Sequence, residues 1–206
     1  HEELQEKIHT LKTDYTNSQK ALLKNHIDYV IKFIDYYYNQ NKDLKSVNQI
    51  KKDVLLAINK LKLSDNPNEY IFIYDFNGNL VQDAIAKKDN IGHNYLNIKD
   101  IKGKEVVKEL ITTSKRNLGG YVEYVWLKPE ISKQTTKISY ALSYNKWNWT
   151  IGKGVYLDEI DKLIKEKEED YNQKISNYTL QITSLTIMLV LYSIFIYKNA
   201  TILIVN

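Results

Sequence analysis

Gly119-Gly120-Tyr121-Val122-Glu123-Tyr124-Val125-Trp126 places alternating residues on two faces directly behind a glycine pair. A period of two belongs to a β-strand, whose side chains point to opposite sides of the sheet in turn. Lys137-Ile138-Ser139-Tyr140 reads the same way. So does Trp149-Thr150-Ile151-Gly152-Lys153-Gly154-Val155-Tyr156, which follows Trp147. Three strands this close in the chain predict an antiparallel sheet.

Working outward, Tyr70-Ile71-Phe72-Ile73-Tyr74-Asp75 is predicted as a strand and Phe76-Asn77-Gly78-Asn79 as a hairpin turn. Asn and Gly both tolerate positive φ, which such turns demand. Leu80 to about Ala84 returns. From Ile85 to Asp100 no period holds, which predicts an excursion over one face of the sheet, bent at Gly92. Glu105–Arg116 reads as a short helix with Val106, Val107, Leu110 and Ile111 inward. Pro129–Thr136 reads as a long polar hairpin loop between strands ending at Trp126 and starting at Lys137. The fold class is α+β, with a sheet of about five strands.

Two helical arms flank this core. Leu4, Ile8, Leu11, Tyr15, Ser18, Leu22, Asn25 and Tyr29 recur at intervals of four and three, the seam of a heptad repeat. From Leu22 a broader apolar face joins through Leu23, Ile27, Val30, Ile31 and Ile34. Nothing breaks the pattern before about Asn41, so the helix is roughly 60 Å long. The seam fits a parallel homodimer, or a helical partner within the same chain. A second helix is expected from Ser46, a natural N-cap, to Leu63, and Asp65-Asn66-Pro67-Asn68 ends it by turn chemistry.

At the other end, Asp158 and Glu159 supply the negative charge that a helix N-terminus favours. Ile160, Leu163, Ile164, Tyr171, Ile175 and Tyr178 then lead into Ile182–Tyr197, a run without a charge. That run is about 24 Å long as a helix, against roughly 30 Å of bilayer hydrocarbon. Tyrosines at its edges and Lys198, whose ammonium can reach the interface, extend it toward a full crossing. Apolar residues on every side favour lipid over a protein core. The expected domains are 1–63 (stalk and second helix), 64–157 (sheet core), 158–181 (connecting helix), 182–198 (membrane span) and 199–206, the start of a cytoplasmic region. The chain opens on helical sequence without a signal peptide, so an exported core would require a membrane segment upstream.

Composition excludes several functions. There is no cysteine, hence no disulfide, thiol catalysis or thiolate zinc site. The four histidines, His1, His9, His26 and His93, form no metal-ligand pair. The net charge of +4 is spread along helix faces, which argues against nucleic acid as a partner. Gly152-Lys153-Gly154 opens no helix and is not a phosphate loop. No cofactor, metal or catalytic constellation is expected.

The stretch from Tyr70 to Asp161 resembles the single Cache domain of the second subtype. The words that carry the resemblance are Tyr70 through Gly78, Ile91-Gly92-His93-Asn94, Gly119 through Trp126, Lys137 through Tyr140, and Trp149 through Tyr156, in that order. The resemblance implies a PAS-like fold and a sensor outside the bacterial cytoplasmic membrane, in the periplasm. It implies a small-molecule ligand, often a short organic acid, and an output module inside: a histidine kinase, a chemotaxis signalling domain or a cyclic-dinucleotide enzyme. It places Tyr124, Trp126, Lys137 and Tyr140 among the pocket residues, and His93 in the segment that closes over the ligand. Tyr74 shares a strand face with Tyr70 and Phe72, pointing either to the pocket or to the helices. Two features depart from the family. Many relatives carry His-Pro where this chain has Asp83-Ala84, and the loop after Pro129 lacks the usual glycine.

The residue types suit a carboxylate: a lysine supplies charge, tyrosines hydroxyl donors, and an indole a wall or a donor. The plainer expectation makes Tyr124 and Trp126 sheet-core aromatics, Lys137 a solvated lysine and His93 a surface histidine. Lys137 and Tyr140 fall on opposite faces of a regular strand, so one cavity holds both only where a bulge or a strand end intervenes. A ligand-free module that fixes receptor dimer geometry is the rival reading.

Overall fold

Strand β5 (Trp149–Tyr156) is buried at all eight positions, because it is central and covered on both faces. In the computed structural model, which describes residues 2–61, 63, 66, 68–83 and 88–205, the order is α1 (Glu2–Asn41), α2 (Val47–Lys60), β1 (Ile71–Asp75), β2 (Leu80–Asp83), α3 (Val106–Ser114), β3 (Gly120–Lys128), β4 (Lys133–Tyr144), β5 and α4 (Leu157–Val205). The five strands form one antiparallel sheet in the order β2-β1-β5-β4-β3. The α+β class, the PAS-like sheet and the long helix at each end are as the sequence predicts.

Helix α1 presents Leu23, Ile27, Val30 and Ile34, at the four-three spacing of one helical stripe, to β4 and β5. Helix α2 adds Ile50, Val54 and Ile58, and its N-cap is Ser46, whose hydroxyl accepts from the Gln49 amide at 3.3 Å. On the opposite face α3 packs on β3, β4 and β5. Its Val106, Val107, Leu110 and Ile111 join Tyr70, Phe72, Tyr74, Val122, Tyr124 and Ala141 in one cluster. Residues 88–105 cross the same face, with Tyr95, Leu96 and Ile98 packed on the cluster.

The β1–β2 turn is held by Asp75, whose carboxylate accepts from the Asn77 and Asn79 amides at 2.9 and 2.8 Å and from the Asn79 side chain. Only Gly78 of the turn takes positive φ, +87°. Strand β2 ends at Asp83; Ala84, Ile85 and the residues to Lys87 lie outside the described residues, as do most of 62–67. A register shift between Ile73 and Tyr74 accommodates Val81 as an extra residue. The β3–β4 hairpin corrects the expectation of a long loop. Lys133 to Thr136 are strand, paired with Lys128 to Val125, and the turn is only residues 129–132, with Ser132 at φ 49°. β-Branched Thr135 and Thr136 suit an extended backbone, and the polar character that suggested loop belongs to strand facing water.

Residues His1–Asp161 form one compact unit and Lys162–Asn206 a second. The second is helical, and the helix Leu157–Asn199 contains an 18-residue stretch of mean hydropathy 1.9, none of it buried. It is long and apolar enough to cross a membrane.

The cluster face depends on small residues in the central strands. A Cβ on Gly152 would sit 2.3 Å from the Phe72 ring; one on Gly154 would sit 2.1 Å from Ser139 Oγ and 2.8 Å from Lys137 Cε. Gly154→Ala is therefore expected to cost about 1–3 kcal/mol by overpacking, lowering Tm by about 2–4 °C for each kcal/mol in a chain of this size. A melting curve followed by circular dichroism measures it, and a Tm equal to wild type would refute the close packing.

Candidate ligand cavity

Alternation on three strands brings the aromatic residues together. Lys137 lies opposite Tyr124 on β3 and Tyr156 on β5; Ser139 lies opposite Val122 and Gly154. Phe72 lies opposite Gly152 on β5 and Asp83 on β2. All of these share the face covered by α3. Between them is a narrow cavity lined by Tyr70, Phe72, Tyr74, Asp83, Tyr124 and Trp126, and closed by Val106, Val107 and Leu110 of α3. Its volume, about 10 Å³, is near that of a single water.

Polar groups meet at one end. The Tyr124 hydroxyl shares a 2.8 Å hydrogen bond with Ser139, and Trp126 stacks edge-on against Tyr124 with ring centroids 5.8 Å apart. Lys137 is fully buried. Its Nζ makes no hydrogen bond among the described residues and lies 3.8 Å from the Tyr70 ring centroid and 4.8 Å from that of Tyr156. These are cation–π distances. Burial pushes the Lys137 ammonium down to about 7, against the upward pull of Asp83 and Glu159. Burial likewise raises the phenols of Tyr70, Tyr74 and Tyr124, and pushes Tyr156 up to about 12. Every phenol here is therefore a neutral donor at pH 7. Tyr156 spends its proton on the Leu127 carbonyl at 2.7 Å.

Of the residues singled out in the sequence, Tyr74, Tyr124 and Trp126 line the cavity together, and Tyr74 points to the α3 side. Lys137 stands directly behind, beneath the Tyr70 ring. Two are not brought together with them. Tyr140 lies on the α1 face, stacked on Tyr121 at 5.0 Å and bonded to the Leu118 carbonyl at 2.5 Å; β4 carries no bulge at this point, so alternation keeps it away from Lys137. His93 is exposed, and its backbone carbonyl accepts from Leu80. Sequence reasoning did not choose Tyr70, Phe72 or Tyr156; Tyr70 and Phe72 share the alternation of Tyr74 along the chain, but which face that is depends on the register of β1 against β5. Asp83, flagged as a departure, does line the cavity.

Residues 15–170 match the family model for Single Cache domain 2, which is most of the chain. The protein belongs to this family. Among curated relatives, this Cache domain is 40% identical over 91 residues, 44% of the chain, to the sensor histidine kinase MctS of Rhizobium johnstonii. Over 63 residues, 31% of the chain, it is 36% identical to the methyl-accepting chemotaxis protein McpP of Pseudomonas putida. The matches span 19% and 12% of those proteins' lengths. A solved methyl-accepting chemotaxis protein from Vibrio parahaemolyticus superposes with a TM-score of 0.65 at 27% identity, covering 75% of this chain and 99% of that one. The Cache sensor fold with ligand-binding character is thus shared with both kinase and chemoreceptor relatives.

The depressed Lys137 gives a signed pH dependence. Between about 7 in the folded state and the ordinary lysine value of 10.5, the unfolded chain binds a proton that the native state does not. Stability contributed by this group therefore rises with pH across that window, by roughly 1 kcal/mol per pH unit. Lys137→Met should flatten that rise in urea denaturation series run from pH 6.5 to 10; identical slopes in both proteins would show that Lys137 keeps its proton in the fold.

Proposed function

We propose that this Cache domain is the extracytoplasmic, periplasmic ligand-binding sensor of a bacterial receptor in the cytoplasmic membrane, that its ligand is a small organic acid, and that α4 carries the signal across the bilayer to an output module. The observation that supports the ligand class is Lys137, a buried lysine with no hydrogen-bonded counter-ion among the described residues, behind an aromatic cavity. Leaving such a group unpaired is costly, and an entering carboxylate removes the cost. The ligand's charge raises the Lys137 affinity for its proton, so binding takes up a proton and weakens as pH rises above about 7. Tyr70 and Tyr124 are neutral donors beside it. Asp83 sets a condition: the acid group must sit at the Lys137 end, with the ligand's carbon skeleton toward Phe72 and Val107.

The volume restricts size. At about 10 Å³ the cavity as it stands holds no organic acid, so a ligand of a few carbon atoms enters only with displacement of the segment 88–105 or of the Tyr70 ring. The α1 seam supports a parallel homodimer: Leu11, Leu22 and Tyr29 are exposed on the side away from the sheet.

The same small volume favours a second reading, a module filled by its own side chains that only fixes dimer geometry. A thermal-shift titration separates the two. Acetate, propionate or pyruvate at a hundred times its Kd should stabilise the fold by about 2.7 kcal/mol. The shift should disappear in Lys137→Met, shrink in Tyr124→Phe and diminish between pH 6.5 and 8.5. Absence of any shift with these three acids would favour the filled module.

A further inference from the structure

A larger recess lies on the other side of the β1–β2 pair. Strand alternation turns Gln82, opposite Ile73, to the α2 face, away from the cavity that holds Phe72. There, α2 and the edge strand β2 enclose a groove of about 670 Å³, within the range of sites for drug-sized molecules. Gln82 is nine-tenths buried and its amide Nε2 has no hydrogen-bond partner among the described residues. An unpaired buried donor is unfavourable until an acceptor arrives. Lys51 and Lys52 of α2 line the same groove. Lys51 Nζ lies 5.6 Å from the Trp149 ring centroid, so the indole and the cation stand together. Leu56, more than half exposed, extends the apolar wall.

We propose that this groove is a second ligand site, for an organic anion with an aromatic or bulky apolar body, its acid group held by Lys51, Lys52 and the Gln82 amide and its body lying on Trp149 and Leu56. Asp83 is the one acid among the described lining residues, and strand alternation turns its side chain toward the α3 side. Asp83 also lines the cavity on the opposite face. The cavity accepts only a few atoms; the groove accepts an acid too large to enter it.

The test uses the whole chain in lipid nanodiscs, empty nanodiscs as the blank, and fluorine NMR of para-trifluoromethyl-phenylacetate and its neutral amide. The acid should broaden and shift saturably with protein, and the amide should bind at least roughly tenfold more weakly. The double variant Lys51→Glu/Lys52→Glu, on a helix surface, should weaken the acid by roughly tenfold or more with an unchanged circular-dichroism melt. Gln82→Leu should weaken it while filling the same space. Lys137→Met should leave binding of this probe unchanged, and excess acetate should not displace it. No saturable binding above the blank, equal binding of acid and amide, or loss in Lys137→Met with retention in the Lys51/Lys52 variant would each overturn the second site.

Discussion

Two glycines in the central strand decide what the sheet can hold. With Gly152 and Gly154 lacking side chains and Ser139 and Ala141 facing them from β4, the middle of the α3 face is thin. Rings from β1 and β3 lean over that thin centre, and Phe72 fits only because Gly152 has no Cβ. On the other face the same strand presents Ile151, Lys153 and Val155 to the helices. One strand thus separates a packed core from a cavity, and its alternation sets the use of each face.

The treatment of buried lysines distinguishes scaffold from site. Among the described residues three lysines are buried: Lys128, Lys137 and Lys153. Lys153 is paired with Glu69 at 2.5 Å, and Lys128 with Asp158 and Glu159 at 3.0 and 2.9 Å. Each pair ties distant segments together and leaves its cation neutralised where water is scarce. Lys137 alone of the three has rings rather than a carboxylate within bonding distance. The fold neutralises two buried lysines with carboxylates and sets the third against aromatic faces.

How much of this was legible in the sequence follows from the range of each interaction. Strand β5, the Asp75 turn and the Ser46 cap were readable because period, turn chemistry and capping are properties of a few neighbouring residues. The face carrying Tyr124 and Trp126 was readable for the same reason. Parity alone sets Tyr140 on the face opposite Lys137, and the straight ladder of β4 keeps it there, on the α1 side. The start of β4 was misread because Lys133 and Gln134 are polar, while their pairing with β3 is decided across the hairpin. Asp83 and Tyr70 could not be assigned from sequence, since their place depends on the register of β1 between β2 and β5, a relation among three separated segments.

The geometry also shows where a change in the cavity would leave it. Tyr156, whose ring lies under Lys137, is the last residue of β5, and Leu157 begins α4 without a linker. Two and four residues beyond Trp126 and Tyr124, Lys128 ends β3 by pairing with the first turn of α4 at Asp158 and Glu159. Asn68, just before β1, donates to the same Glu159 at 2.8 Å. Three strand ends that border the cavity therefore converge on one helical turn. Leu157–Val205 is one continuous helix that starts at this turn. Lys128 also lies 5.7 Å from the centroid of the Tyr156 ring, so the tie at this turn and the ring against Lys137 share one neighbour.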